Sequence, residues 1–182
     1  MSIVPLNPWL AHRPRRGAIA IDTVVLHAGE QLEVDALVRE LRATEHSYHY
    51  IIDRDGTVLK CVPFAAVGYH CQNSYGPHEA SRRVSLERDG HGAFVEHTCV
   101  NEYSVGVCLM NLNDGQDPYP ASQIAACIHL LIDLKTPLPK LRYLTTHAYV
   151  APGRHTDPAG LDVDSLAKVT ELELWTPQSL VA

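Results

Sequence analysis

The spacing of apolar residues changes several times along this chain, and each change marks an element. Residues 18–28 (AIAIDTVVLHA) are apolar and rich in β-branched side chains, as a strand covered on both faces requires, and the run stops at Gly29. Val34, Leu37, Val38 and Leu41 then recur at i, i+3, i+4 and i+7, which predicts an amphipathic helix over 31–42. Residues 47–53 and 57–62 read as two short strands joined through Asp53-Arg54-Asp55-Gly56, where glycine suits the positive φ of a tight hairpin. Strand character returns over 103–110 (YSVGVCLM) and again over 141–146. Between them Ile124, Cys127, Ile128 and Leu131 keep helical spacing over 122–134. A last helix is predicted over 164–175, capped near Asp162 or Asp164, with Leu166, Val169 and Leu172 turned inward. The fold class is therefore α/β: a single domain whose central mixed β-sheet of about five strands is flanked by about three helices.

Residues 72–100 break the pattern. They are polar, rich in Gly, Ser, Arg and His, and follow neither period. A connection that long inside a compact domain is usually functional, so this loop is expected to wall a groove. The chain accordingly divides into an N-terminal extension (1–17), a folded domain (18–176) carrying the insertion, and a C-terminal tail (177–182). With 182 residues, 46% of them hydrophobic, one core is enough.

Charge and cysteine usage narrow the partners. A formal charge of −6 without any Lys/Arg-rich run argues against nucleic acid, whose phosphates call for a basic face. Eleven histidines mean that a mildly acidic medium shifts this balance strongly upward. Five cysteines with no CxxC pair do not form a disulfide framework; reduced thiols are expected, with one bridge such as Cys71 to Cys99 left open for an oxidising compartment. No apolar run reaches the roughly 18 residues of a membrane span. The basic residues near the N-terminus follow its short apolar patch, the wrong order for a secretory signal. Synthesis in the cytoplasm is expected, with action there or, after export by another route, in the periplasm or cell wall. A monomer is favoured.

Candidate chemistry concentrates at the strand ends. His27 closes the first long strand, His147 follows the last short one, and Asp157 lies beyond the Pro152-Gly153 turn, so all three can share one rim of the sheet. Two imidazoles and one carboxylate suffice for a hydrolytic zinc, leaving the fourth tetrahedral position to a water. On spacing alone, a satisfied core histidine and a capping aspartate before Pro158 account for the same residues.

Five ordered segments add more: VVLHAG (24–29), SYHYIIDRDGTVLKCVPF (47–64), VGYHCQN (67–73), NEYSVGVCLMN (101–111) and THAYVAPGRHTDP (146–158). Together, across about residues 20–175, they resemble the zinc-dependent N-acetylmuramoyl-L-alanine amidases. That family includes the bacteriophage lysozyme-type enzymes, the muropeptide-recycling amidases and the peptidoglycan recognition proteins. The resemblance implies one zinc ion per chain, peptidoglycan or a muropeptide as substrate, and hydrolysis of the amide between N-acetylmuramic acid and the L-alanine of the stem peptide. It implies His27, His147 and Asp157 as ligands, Tyr48 as the active-site tyrosine, and His70 and Asn101 as groove residues that bind substrate. Where the family often carries an oxyanion-stabilising lysine, this chain has His155, which would favour slightly acidic conditions. Where the recycling branch has a glutamate base, this chain has Cys108. The alternative is a non-catalytic muropeptide-binding protein of the recognition type; such members typically lose a zinc ligand, whereas all three positions are kept here.

Overall fold

Strand β3 (Thr23–Ala28) is buried at every position, the outcome its unbroken apolar run requires, and the sheet is assembled around it. The computed structural model describes residues 3–15, 19–71, 74–77 and 100–177. On one side β3 pairs in parallel with β7 (Ser104–Leu109), on the other with β8 (Tyr143–Thr146). Beyond β7 come β4 (Tyr50–Ile52), β5 (Val58–Lys60) and β1 (Ile3–Pro5); beyond β8 comes β9 (Glu173–Leu174). The order β1-β5-β4-β7-β3-β8-β9 is parallel except for the β4/β5 hairpin. A separate antiparallel pair joins β2 (His12–Pro14) to β6 (Ala66–Gly68).

Helices cover both faces. On one, Val24, Leu26, Tyr50, Ile52, Val105 and Val107 pack with α3 (Ala121–Leu134) and α5 (Val163–Thr170). On the other, Ile51, Cys108 and Met110 pack with Leu37 and Leu41 of α1 (Val34–Thr44). Alternation along β3 sends Val24 and Leu26 to the first face, and so turns His27 toward the second. Two single-turn helices, α2 (Val100–Tyr103) and α4 (His147–Val150), lead into β7 and out of β8.

The α/β class with helices on a mixed sheet holds, but among the described residues the sheet has seven strands rather than about five. The additions are short strands at or near the edges, β1 and β9, whose residues carry no periodic signal and extend because a neighbour offers an open row of peptide groups. The predicted last helix is also shorter: α5 ends at Thr170, where Glu171 turns left-handed (φ 53°). Residues 173–174 then join β8, and the Trp175 N–H donates to the Leu144 carbonyl. Leu166 and Leu172 are buried as expected, whereas Val169 is 58% exposed. The insertion at 72–100 lies almost wholly outside the described residues, as do Cys99 and the tail from 178 onward.

Candidate active site

Register brings the first two histidines level. Leu26 of β3 pairs with Thr146 of β8, and one residue further on each strand stand His27 and His147. Thr146 caps the α4 turn, its Oγ1 accepting from the Tyr149 N–H at 3.1 Å, so β8 stops there and His147 faces the rim. The segment beyond folds back through Gly153 (φ 77°), and the Ala148 N–H bonds to the Asp157 carbonyl at 2.9 Å. Asp157 is thereby wedged between the histidines: Oδ1 is 3.0 Å from His147 Nδ1, and Oδ2 is 3.3 Å from His27 Nδ1.

All three side chains are buried, and the ligand atoms lie within 4.8 Å of one another. Nδ1 of His27 has no hydrogen-bond partner among the described residues, although it is fully enclosed. A buried imidazole nitrogen beside a carboxylate and a second imidazole is a donor set that could hold a divalent cation. Burial, offset in part by the Asp157 carboxylate, pushes His27 down to about 4, so at neutral pH the ring is neutral and one of its nitrogens keeps a free lone pair. Burial alone would raise the Asp157 carboxyl; the neighbouring histidines, His147 foremost, outweigh it and hold the group well below the usual carboxylate range.

Around this centre stand the other expected residues. Tyr48 tilts over His27 with ring centroids 4.9 Å apart, and burial keeps its phenol protonated far above neutral pH. Strand alternation predicts Tyr48 on the face of Tyr50 and Ile52; instead it packs with the Ile51 and Leu37 cluster. The ladder is irregular there, because the His49 carbonyl accepts from both Cys61 and Val62, and regular pairing begins only at Tyr50. The His49 ring is spent on the backbone, bonding the Gly106 N–H at 3.0 Å and meeting the Ala66 carbonyl at 3.2 Å. His155 stacks on His147 at 3.7 Å with its side chain 42% exposed. Burial and the neighbouring His147 lower its pKa, so its cationic form needs a more acidic medium than the sequence expectation assumed. Cys108, at the position of a family glutamate, is sealed, and burial raises its thiol pKa far above neutral.

His70 stands on the far side of His27: its Nδ1 is 3.2 Å from His27 Nε2. Asn101 gives its Oδ1 to the Cys71 N–H at 2.8 Å and the His70 N–H at 3.4 Å. Cys71 was legible only as a bridging candidate, yet its Sγ lies 3.1 Å from His70 Nδ1 and 3.8 Å from His27 Nε2, which makes His27, His70 and Cys71 a second group of metal-binding type. The two groups share His27 through opposite ring nitrogens. His147 and Asp157 of the first group and His70 of the second line one groove of about 570 Å³, together with Glu30, Glu40, Tyr48 and Arg154; Asn101 does not reach it.

Sequence and fold match a known class. A sequence profile of the Amidase_2 family, N-acetylmuramoyl-L-alanine amidase, covers residues 17–160, and the chain belongs to this family. Among solved structures it is similar to the amidase LysC from Clostridium intestinale URNW, at 18% identity over 95% of this chain and 99% of that one, with a TM-score of 0.67. It is similar to AmpD, solved as a selenomethionine derivative, at 19% identity over 92% and 93%, with a TM-score of 0.66. It also resembles human PGRP-IBETAC, determined in complex with glycosamyl muramyl pentapeptide, at 17% identity over 94% and 98%, with a TM-score of 0.57. Identities this low establish a shared fold. No curated protein sequence matches the chain at a significant level. No described helix is long and apolar enough to cross a membrane.

Proposed function

We propose that this chain is a zinc-dependent peptidoglycan amidase that hydrolyses the amide between N-acetylmuramic acid and the L-alanine of the stem peptide. The observation that carries this reading is the bare, buried Nδ1 of His27, aimed at Asp157 and His147 beside an open groove. His27, His147 and Asp157 would hold the ion. Zinc bound by three protein ligands acts as a Lewis acid and lowers the pKa of a water to about 7.

The chain's own groups supply the rest. Tyr48, kept protonated by burial, donates its phenolic hydrogen bond to an oxygen at the reacting carbon and does not serve as a base. His155, on the exposed side of His147, offers a ring N–H to the oxygen of the scissile carbonyl as charge develops there. The carboxylate of Asp157 stays ionised, as a metal ligand must. Cys108 keeps its proton and takes no part as a carboxylate would. The groove between α1 and residues 154–157 receives the glycan and stem peptide.

The test is to incubate the protein with intact sacculi and, separately, with soluble muropeptides, and to identify products by mass. Free stem peptides with an L-alanine N-terminus, about one zinc per chain and loss of turnover on chelation are the expected results. Muropeptide bound without turnover by the zinc-loaded protein would replace the enzyme reading with that of a recognition-type binder.

A further inference from the structure

We infer that His70 is a positioning residue for His27, its Nδ1 accepting the Nε2–H of His27 and thereby fixing the tautomer in which His27 turns a bare Nδ1 to the ligand cluster. This rests on the ligand assignment proposed above. The tautomers can be deduced by following the protons from the far end of the chain of contacts. The Ser104 hydroxyl has one hydrogen, and it is committed to the Val100 carbonyl at 2.6 Å. Toward His70 Nε2, 3.4 Å away, Ser104 therefore presents a lone pair, so His70 carries its proton on Nε2. Nδ1 of the neutral ring is then an acceptor facing two donors, the Cys71 thiol at 3.1 Å and the Nε2 of His27 at 3.2 Å, and the N–H, the stronger donor, takes its lone pair. One proton remains for each imidazole, so the Nδ1 of His27 faces Asp157 Oδ2, 3.3 Å away, without a hydrogen, an arrangement that a cation between the two atoms would relieve.

The surroundings hold His70 to this task. Its ring stands edge-on to His27, with planes at 88°. Gly106 leaves the space for it: a Cβ there would come within 2.6 Å of His70 Cγ. Asn101 ties down the backbone N–H groups of both His70 and Cys71, and the Cys71 thiol meets the same Nδ1 at 3.1 Å. A metal-bound imidazole whose other nitrogen is anchored in this way keeps its orientation before the ion arrives.

Two measurements test the inference. In the metal-free wild-type protein, nitrogen NMR of the imidazoles should find both His27 and His70 protonated at Nε2; a proton on His27 Nδ1 would overturn it. In zinc competition against a chromophoric chelator, His70→Phe, which fills the space but accepts nothing, should lose about 10- to 100-fold in affinity. His70→Asn, whose Oδ1 sits where Nδ1 stood, should restore most of that loss. A packing role alone predicts the opposite order, and Phe binding zinc as tightly as wild type would end the proposal. If wild type itself bound no zinc, the ligand assignment would fail, while the NMR measurement on the same protein would still decide the tautomer. The NMR result also stands if His70→Phe does not fold.

Discussion

At the scale of single residues the proposed function divides the site into groups that would hold an ion and groups that would act on substrate, and mutants should separate the same way. His27→Ala removes a buried donor and should lose both bound zinc and activity. His155→Ala leaves His27, His147 and Asp157 in place, so it should keep zinc, measured by elemental analysis, while kcat falls by about 10²- to 10³-fold, the usual cost of one oxyanion donor. Equal metal loss in the two variants would reverse the assigned roles. Tyr48→Phe should likewise keep zinc and lose rate, by about 10²-fold or more. That His27, His147 and Asp157 share one rim of the sheet was legible because strand ends and a Pro-Gly turn are local features; a role as ligands was implied only by the resemblance. The partner of His27 was not, because nothing in the spacing of residues 27, 70 and 104 reveals that three separate segments meet.

At the scale of elements, burial decides what a substitution does. Leu130 of α3 is almost fully buried in the cluster against the sheet, so Leu130→Ala should cost about 2–5 kcal/mol in urea unfolding. Val169 lies on the exposed side of α5, and Val169→Ala should stay within about 0.5 kcal/mol, although helical spacing alone turned that side chain inward. The N-terminus of α5 was read correctly: Asp162 accepts the Ser165 N–H at 3.0 Å. Its C-terminus was not, because continuation to 175 satisfies helix spacing while the open edge of β8 offers residues 173–174 a sheet partner.

At the scale of the whole molecule, the buried histidines tie stability to pH. Burial foremost, then the Arg15 charge, pushes His49 from its ordinary 6.5 down to about 3. Between those values the unfolded chain binds a proton that the folded chain refuses, so stability rises with pH across this window and is lost as pH falls through it. The contribution of one such group is at most about 1.4 kcal/mol per pH unit. Unfolding the metal-free protein in urea at pH 7, 6 and 5 should show a steady loss, and His49→Asn should flatten the slope over that range. An unchanged slope would remove His49 from the account.

What the sequence by itself determined is whatever depends on near neighbours: the apolar run of β3, the amphipathic faces of α1 and α3, the Asp162 cap, and a histidine delivered at each of two strand ends. Five ordered motifs were enough to indicate the family. Only the tertiary structure decided that the sheet, among the described residues, has seven strands, that Tyr48 leaves the face its alternation predicted, and that His70, Cys71 and Ser104 gather behind His27. The reason is physical. Periodicity reports which side of an element meets the core, whereas edge pairing and hydrogen-bond chains depend on groups far apart in sequence that become neighbours only when parallel strands are set in register.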